Sequence, residues 1–404
     1  MASFRPRNEA EAADFLRGRS EEKKPVALRG GGTKRSFARP DPSDTTTLDL
    51  SALSGIVLYE PEELVMTARA GTPLDDVEAA LAQHNQCLAF EPPRLGAFFG
   101  TSEGHSTLGG VVAAGFSGPR RVKAGAVRDH MLGMCAIGGD GQGFKSGGRV
   151  VKNVTGFDLP KLLAGSHGTL AAITEITVKV LPAPETTQTL LLFGLDDAAG
   201  IRALAEALGG PFDVSGAAHL PAASARHSRF PEISGTETSV TALRFEGFGP
   251  SVTDRFAAAA ARFSVLAAST YLDAAESLIF WKDIRDLAPL IPDDRLVWRL
   301  SVPPSDASSI VARIQGRAPA EAIYDWGGGL IWLMLPPADD AHVSLVRGAL
   351  PSGHATLFRA PGAVREKIPV FQPQPAGLAA LTRRVKAAFD PNGILSPGRM
   401  TAGS

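Results

Sequence analysis

The order of apolar and polar residues in the first part of the chain predicts short helices and strands in alternation. One helix is predicted to follow Asn8, which forms a capping-box pair with Glu11, and to end at Gly18. A second helix is predicted to begin at Thr72-Pro73, because apolar residues recur after it at helical spacing. Alternating or β-branched apolar runs predict strands over residues 64–70, 131–137, 148–151 and 173–180. These elements show no long parallel βα alternation, so the pattern predicts an α+β domain over residues 1–183.

Beyond residue 183 one order of elements occurs twice. Strand, helix, strand, strand, helix and strand are predicted first over residues 190–194, 197–208, 214–219, 239–246, 252–262 and 264–270. After an extra helix at 273–286, the same order is predicted over residues 296–302, 305–315, 321–325, 329–335, 339–349 and 354–360. This order is that of the ferredoxin-like unit. Two such units joined edge to edge would form one sheet, with helices on one face and the other face free to cover a ligand.

The proline-rich step Pro182-Ala-Pro184 is predicted to separate two domains, so that the second domain covers residues 184–374. The final segment, residues 375–404, is predicted to return to the first domain. Its helix carries apolar residues at core spacing, namely Leu378, Leu381, Val385 and Phe389.

Three glycine-rich segments interrupt the apolar runs of the first domain. They are Arg29-Gly-Gly-Gly-Thr33, Thr107-Leu-Gly-Gly110 and Gly165-Ser-His-Gly-Thr-Leu170. Consecutive glycines expose backbone N–H groups on one concave turn, which lets a chain hold a phosphate without a dedicated side chain. Taken alone, each segment is equally typical of a tight turn with nothing bound. The motifs of Walker and Rossmann sites are missing, since Arg35 stands where a third glycine would be required.

In this order, the three segments resemble the FAD-binding domain of the vanillyl-alcohol oxidase type, also called the p-cresol methylhydroxylase (PCMH) type. The resemblance covers residues 1–183 and the closing segment Phe389-Asp-Pro-Asn-Gly-Ile-Leu-Ser-Pro-Gly398. It implies an α+β fold in which a PCMH-type domain of two α+β subdomains is joined by a duplicated ferredoxin-like cap domain.

The same resemblance implies which residues bind FAD. The first segment corresponds to the pyrophosphate turn, the second to the isoalloxazine and ribityl contact, and the third to a second diphosphate and adenosine-side contact. The implied FAD-binding residues are Arg29, Gly30, Gly31, Gly32, Thr33, Pro92, Pro93, Thr107, Leu108, Gly109, Gly110, Gly115, Gly118, Gly168, Thr169, Ile173 and Asn392.

FAD is expected to be bound without a covalent bond. Members of this type that tether FAD often place a histidine just after the first glycine turn, where this chain has Gly32-Thr33-Lys34. His105 lies close to the second glycine segment, but a loop histidine is more commonly solvated than in contact with a flavin.

Composition narrows the class of protein. With 404 residues and a formal net charge of -1, the chain has no general attraction to nucleic acid or to anionic lipid. Cys87 and Cys135 are too few for a disulfide framework or for ligating an iron–sulfur cluster. No apolar run has the length needed to span a bilayer, and charged residues from Arg5 onward argue against a signal peptide. The sequence therefore predicts a cytoplasmic protein without direct membrane insertion, peripheral at the inner membrane only through a complex.

A second set of segments resembles the E-subunit family of bacterial glycolate oxidases over nearly the whole chain. These segments cover residues 86–93, 114–121, 125–129, 298–303, 325–328 and 364–371. The resemblance implies FAD-dependent oxidation of glycolate or D-lactate in a complex with a homologous FAD subunit and an iron–sulfur subunit. Residues 94–106 are longer than the family pattern, which indicates an inserted loop.

Catalytic residues are not identified by the sequence. Related 2-hydroxy-acid dehydrogenases usually carry a histidine-rich segment in the cap, where this chain has Tyr324-Asp-Trp-Gly-Gly-Gly-Leu-Ile-Trp332. The remaining cap histidines, His219, His227, His342 and His354, match no ligand spacing. Two alternatives therefore stay open: a free-standing FAD-linked 2-hydroxy-acid dehydrogenase, and a non-catalytic FAD-binding subunit for assembly or electron transfer. A basic group of Arg120, Arg121, Lys123 and Arg128 suggests either a docking face or, more commonly, a solvated loop.

Overall fold

The structure, a computed structural model, describes residues 2–101, 106–149, 156–291 and 294–401. Contacts between residues divide the chain into two compact units. The first unit comprises Met1–Ser117, Gly125–Ala183 and Pro373–Ser404, and the second comprises Gly118–Ala124 and Pro184–Gln372. The short segment Gly118–Ala124 thus packs with the second unit, although the linear sequence places it inside the first.

Short helices and strands make up the chain as far as residue 183. The helices are α1 Glu9–Glu21, α2 Leu74–Ala82, α3 Leu108–Ala114, α4 Arg121–Ala124 and α5 Leu159–Leu163. The strands are β1 Ser3–Phe4, β2 Val26–Arg29, β3 Thr46–Asp49, β4 Ile56–Glu60, β5 Val65–Arg69, β6 Gln86–Cys87, β7 Met131–Gly138, β8 Gly143–Gly147, β9 Ala171–Lys179 and β10 Leu181–Pro182.

Two sheets of the first unit position the glycine-rich segments. A parallel sheet has the strand order β1-β3-β2, and an antiparallel sheet has the order β4-β5-β9-β7-β8. The first glycine segment follows directly from β2, and the third leads directly into β9. Leu74, Val77 and Leu81 of α2 are buried in the same core as strands β5 and β9, as their helical spacing predicts.

Two predicted ends of elements in this unit are wrong. Asn8 does cap α1, because its side chain accepts from the N–H of Glu11 at 2.9 Å. The helix nevertheless continues through Gly18 to Glu21, since a single glycine does not interrupt its hydrogen bonds. The second strand of the hairpin is β8, Gly143–Gly147, which ends before the predicted range of 148–151 begins. Residues 150 and 151 of that range lie outside the described residues.

The second unit contains the repeated order of elements. Its further helices are α6 Asp197–Gly209, α7 Ala222–Ala225, α8 Pro231–Ser234, α9 Gly249–Phe263, α10 Ala274–Asp286, α11 Ala307–Gln315, α12 Val343–Gly348 and α13 Gly362–Lys367. Its strands are β11 Thr186–Phe193, β12 Gly216–Leu220, β13 Val240–Gly247, β14 Ser269–Leu272, β15 Leu296–Ser301, β16 Glu321–Asp325, β17 Leu330–Leu335 and β18 His354–Arg359.

These strands form one eight-stranded sheet in the order β14-β11-β13-β12-β16-β17-β15-β18. All of its neighbouring strands are antiparallel. The two ferredoxin-like halves meet where His219 of β12 lies opposite Tyr324 of β16. The predicted joining of two units edge to edge is therefore confirmed.

The helices do not all lie on one face of this sheet. Leu190, Leu192, Trp298 and Leu300 belong to the core shared with α6, α9, α11 and α12. The extra helix α10 packs on the opposite face, because the indole N–H of Trp281 donates to the Thr189 hydroxyl at 2.9 Å. Side chains of a strand alternate between faces, so Thr189 points away from Leu190. Only part of the second face is therefore left uncovered by helices of the described chain.

The last helix, α14 Ala376–Phe389, belongs to the first unit. Its predicted role as a core helix is only partly right. Leu378 and Leu381 are 49% and 53% exposed, whereas Val385 and Phe389 are half-buried. The Phe389 ring lies 5.7 Å from that of Phe144 on β8. The C-terminal part of α14 therefore anchors the helix, and its N-terminal part lies on the surface.

Candidate functional site

A cleft of about 730 Å³ lies in the first unit, where the glycine-rich segments meet. A neighbouring cavity of about 460 Å³ extends from it to Gly168 and Ile173. The two share several lining residues, namely Leu28, Arg29, Gly30, Thr107, Gly110, Ala113 and His167. They therefore adjoin as one elongated site at the end of β2, the first turn of α3 and the start of β9.

The first two glycine segments approach each other closely. A Cβ atom placed on Gly30 would lie 2.3 Å from Oγ1 of Thr107, so no larger residue fits there without movement. Thr107 caps α3, since its hydroxyl accepts from the N–H of Gly110 at 3.2 Å. A glycine at position 30 is thus required by packing within the site.

The turn after β2 offers unused hydrogen-bond donors. Within the described residues, the backbone N–H groups of Gly31, Gly32 and Thr33 have no acceptor. Thr33 is buried, and Gly32 adopts a φ of 77° that favours glycine. Buried N–H groups normally find a partner, so this turn is suited to oxygen atoms of a bound anion.

Lys34 adds a positive charge to the same cleft. Its Nζ atom lies 3.4 Å from the hydroxyl oxygens of Thr33 and Ser106 and has no carboxylate partner among the described residues. Burial lowers the pKa of Lys34 to about 8, because the charged amine has lost much of its water. An anion bound next to the amine would favour the charged form again.

His167 and Arg399 line the other side of the cleft. Burial, together with the charges of Arg399 and Lys34, lowers the pKa of His167 to about 3, so the imidazole is neutral at physiological pH. Its ring centroid lies 5.3 Å from that of Phe37. Arg399 donates to the carbonyl of Phe37 at 3.2 Å, which ties the last part of the chain to the first glycine segment.

The closing segment is held by a buried ion pair. Nζ of Lys386 lies 2.5 Å from Oδ2 of Asp390 and also donates to the carbonyls of Thr169 and Leu395, at 2.7 and 2.8 Å. The Asp390 carboxylate accepts from the N–H groups of Ile394 and Leu395, at 3.0 and 2.8 Å. The segment is thereby fixed next to the third glycine segment.

The structure brings many of the predicted FAD-binding residues to the two cavities but leaves others away from them. Those that line a cavity are Arg29, Gly30, Gly31, Gly32, Thr33, Thr107, Gly109, Gly110, Gly168 and Ile173. Those that line neither cavity are Pro92, Pro93, Leu108, Gly115, Gly118, Thr169 and Asn392.

Several residues of this second group have other roles. Leu108 is fully buried in the core, and Gly118 belongs to the second unit. Gly115, with a φ of 69°, packs against the turn at Gly165, where an added Cβ would lie 2.8 Å from the Gly165 Cα. The Asn392 amide donates to the hydroxyl and carbonyl of Ser20, at 2.9 and 3.2 Å. FAD binding by these residues stays a prediction.

Sequence reasoning did not identify Lys34, Phe37, His167 and Arg399 as residues of the cleft. The position of Lys34 directly after the glycine turn was a usable signal, and so was the histidine inside the third glycine segment. No local pattern marks Arg399, because its place in the cleft depends on the fold of the closing segment. His105, considered above, lies outside the described residues.

The residues present fit FAD. A diphosphate needs several donors and positive charge, which Gly31, Gly32, Thr33 and Lys34 supply in one turn. The long shape of the two adjoining cavities suits a dinucleotide with a flat ring, and the apolar side chains of Phe37 and Ile173 lie along it.

Comparison with known families agrees with this site. Residues 2–146 match the family described as the FAD binding domain, and residues 370–400 match that described as the C-terminal domain of FAD linked oxidases. Among solved structures, p-cresol methylhydroxylase with substrate bound superposes with a TM-score of 0.74 over 99% of this chain and 88% of that chain, at 13% identity. Alkyldihydroxyacetonephosphate synthase gives a TM-score of 0.67 over 98% of this chain and 76% of that chain, at 16% identity.

Curated relatives are similar in sequence as well. The glycolate oxidase subunit GlcE of Escherichia coli (strain K12) is 35% identical over 383 residues, which are 94% of this chain and 94% of that protein. The glycolate oxidase subunit GlcD of Bacillus subtilis (strain 168) is 32% identical over 190 residues, 47% of this chain and 39% of that protein. A D-lactate dehydrogenase of Archaeoglobus fulgidus is 32% identical over 44% of this chain and 38% of that protein.

The chain has the fold of p-cresol methylhydroxylase, and the matches in sequence define a FAD-linked oxidoreductase. Within that class, the chain belongs to the family of glycolate oxidase E subunits. Among the described residues, no helix is both long and apolar enough to cross a membrane.

Proposed function

We propose that this chain is the FAD-binding subunit of a complex that oxidises glycolate to glyoxylate, with D-lactate as a second substrate. The observation that carries the proposal is the first glycine turn, where unpaired N–H groups and the buried Lys34 suit a diphosphate. The 35% identity to GlcE over 94% of both chains supports the substrate class. With Thr33 and Lys34 in place of a histidine after the turn, FAD is held without a covalent bond.

Oxidation of a 2-hydroxy acid removes a hydride from C2 and a proton from the hydroxyl group. FAD, when bound, supplies the acceptor for the hydride. The residues of this chain hold the cofactor through the N–H donors of Gly31–Thr33 and the charge of Lys34. The proton requires a base that lies within hydrogen-bonding distance of the hydroxyl.

Three of the four histidines of the second unit, His219, His227 and His342, have structural surroundings that do not favour this role. His219 is fully buried and lies 2.8 Å from the Thr241 hydroxyl and 3.4 Å from the Asp197 carboxylate. His342 contacts the carbonyl of Pro336 at 3.1 Å, and His227 accepts from Arg226 at 3.2 Å. These contacts favour a second candidate function, that of a FAD-binding subunit for assembly and electron transfer.

In both candidate functions, electrons pass from this chain to partner proteins. Neither of the two cysteines, Cys87 and Cys135, is close to a third ligand, and the described residues contain no cluster of metal-ligating side chains. The partners are a homologous FAD subunit and an iron–sulfur subunit; the similarity of this chain to the glycolate oxidase subunit GlcD supports the first of them. Two of the four residues of the basic group suggested for docking are engaged in ion pairs, Arg120 with Glu246 and Lys123 with Asp213.

The test of this proposal is anaerobic flavin reduction by glycolate. The isolated chain is expected to bleach slowly, because general-base catalysis usually contributes about 10²–10⁴-fold. The complex co-expressed with its two partner subunits should bleach fast and completely. Fast bleaching of the isolated chain would refute the dependence on partners. A complete complex that is reduced by neither glycolate nor D-lactate would refute the substrate class.

Binding of FAD is expected to weaken as the pH rises above about 8. In the free cleft the pKa of Lys34 is about 8, and the bound diphosphate raises it by favouring the charged amine. Below this pH the amine is charged in both states, so affinity is constant. Above it, binding must take up a proton, and affinity falls by up to about tenfold per pH unit until the bound pKa is passed.

Equilibrium dialysis of FAD on both sides of pH 8 measures this dependence. Lys34→Met should bind more weakly at low pH and lose the pH-dependent step, whereas exposed Lys24→Met should behave as the wild type. The same pH profile in Lys34→Met and in the wild type would assign the step to another group.

A further inference from the structure

Three segments that are distant in sequence meet in the second unit. They are Gly118-Pro-Arg-Arg121, Trp298-Arg299 and Asp325-Trp326. The indole N–H of Trp326 donates to the carbonyl of Gly118 at 3.0 Å. The guanidinium carbon of Arg121 lies 4.2 Å from the centre of the Trp326 ring, and that of Arg299 lies 5.2 Å from it. Two positively charged guanidinium groups thus lie close to the same aromatic ring.

Arg299 lies on the face of the sheet opposite the main core. Its neighbours in β15, Trp298 and Leu300, belong to that core, so the Arg299 side chain points the other way. In the register of the sheet, Trp332 of β17 and Thr356 of β18 lie directly opposite Arg299 on either side. Directly opposite residues share a face, which places an indole and a hydroxyl beside the guanidinium. The guanidinium carbon lies 5.9 Å from the centre of the Trp332 ring.

The half-buried side chain of Arg299 makes no hydrogen bond or ion pair with any described residue, unlike the exposed arginines of this unit that can bind water instead. By contrast, Arg120 makes two hydrogen bonds to the Glu246 carboxylate, at 2.7 and 3.0 Å. The Thr356 hydroxyl likewise has no partner in the described chain. A half-buried guanidinium with donors in a fixed fork is costly to leave unpaired.

The charges around Arg299 favour an anion. Burial, together with the charge of Arg121 and against the opposing charge of Asp325, lowers the pKa of Arg299 to about 10. The charged groups that act on Arg299 among the described residues are thus one guanidinium and one carboxylate, and with Arg299 itself they leave an excess of one positive charge. This excess lies in a partly desolvated place, where a charge interaction is stronger than in water.

We propose that Arg299 and Thr356 bind the carboxylate of a small organic acid of the 2-hydroxy- or 2-oxo-acid class, between the rings of Trp326 and Trp332. The planar guanidinium matches both oxygens of a carboxylate, and the Thr356 hydroxyl adds a third donor. The indole rings cover apolar carbon atoms, which suits a small organic acid better than a strongly hydrated inorganic anion. The class of acid rests on the proposed function, but the carboxylate site rests on the geometry of this unit.

The experiment uses the full chain and oxalate, a small dicarboxylate that has no C–H bond and therefore cannot donate a hydride to FAD. Titration is followed by tryptophan fluorescence, since Trp326 and Trp332 border the site. Arg299→Met should weaken oxalate binding by about 10- to 100-fold, the usual effect of losing hydrogen bonds to a charged group. Thr356→Val removes one hydroxyl with little change in shape and should weaken binding by about fivefold. Arg262→Met, which breaks an exposed pair with Glu206, is the matched control and should bind as the wild type does.

The outcomes separate this inference from the proposed function. Unchanged oxalate binding in both Arg299→Met and Thr356→Val, or equal affinity for inorganic phosphate, would overturn the carboxylate site. If Arg299→Met fails to fold, as judged by circular dichroism, Thr356→Val and Arg299→Lys carry the same test. In the complete complex, a raised KM for glycolate with Thr356→Val would support the site. Oxalate binding that depends on Arg299, in a complex that does not oxidise glycolate, would keep the site and refute the proposed function.

Discussion

Replacement of Gly110 by valine is expected to weaken FAD binding strongly while leaving the protein folded. Gly110 lines both cavities, and a Cβ placed on it would meet only the Thr107 hydroxyl within 4 Å, at 3.2 Å. The branched side chain therefore has room beside the protein but extends into the space for the cofactor. Overpacking of this kind costs about 1–3 kcal/mol, which corresponds to a loss of affinity of about 10- to 100-fold. The flavin absorbance of the purified variant and its FAD dissociation constant measure the effect.

Gly377→Val is the matched control for this variant. Gly377 lies in the exposed part of α14, in the same unit, and a Cβ there has no atom within 4 Å. Its flavin content should equal that of the wild type. Gly109 would be a poorer choice for the test than Gly110, because its Cβ would lie 2.7 Å from Ala70 and disturb the fold itself. Equal flavin content in Gly110→Val and Gly377→Val would mean that the ring or the diphosphate lies elsewhere.

Asp390→Ala is expected to destabilise the first unit more than any surface substitution. The Asp390 side chain is 0% exposed, and its loss leaves the charge of Lys386 without a carboxylate and two buried N–H groups without an acceptor. Removing one partner of a buried ion pair typically costs about 3–5 kcal/mol of the free energy of unfolding. Urea unfolding followed by circular dichroism, with FAD at a fixed concentration, measures the shift of the midpoint.

The exposed ion pair between Asp14 and Arg17 on α1 provides the comparison for Asp390→Ala. Both side chains are more than half exposed, at 73% and 53%, and Asp14→Ala should unfold with the wild-type midpoint. If Asp390→Ala also unfolded at that midpoint, the ion pair with Lys386 would have no net effect on stability.

Much of the second unit could be predicted from its sequence, because its strands and helices are amphipathic and recur in one order. The predicted ranges 321–325 and 296–302 differ from β16 and β15 by at most one residue. The agreement follows from burial. Residues such as Ile310 and Ile314 recur on one face of a helix, and that apolar face packs into the core. The position of α10 could not be predicted in this way. Its packing depends on a hydrogen bond between Trp281 and Thr189 across 92 residues.

In the candidate sites, too, residues that belong to a local sequence pattern could be predicted, and residues brought together only by folding could not. The glycine segments are local patterns that identify the FAD cleft, and Lys34 adjoins one of them in sequence. Arg399 reaches the cleft through a contact across 362 residues, and Arg299 meets Trp326 and Thr356 only in the folded sheet. Leu378 and Leu381, which are exposed, show where a local pattern predicts incorrectly. Helical spacing predicts an apolar face, but it does not determine whether that face is covered.

Synthesis of the chain from its N-terminus has a consequence for the order in which the cofactor cleft can form. Val26 of β2 is bonded through its N–H to the carbonyl of Ile394, and Arg399 bonds to the carbonyl of Phe37. The ribosome must therefore make residues 184–372 before the first unit receives its closing segment. At roughly 5–20 residues per second this interval lasts on the order of ten seconds or more, during which the second unit can fold by itself. We expect nascent chains to acquire FAD only after the closing segment has left the ribosome, so that cofactor loading reports synthesis of that segment.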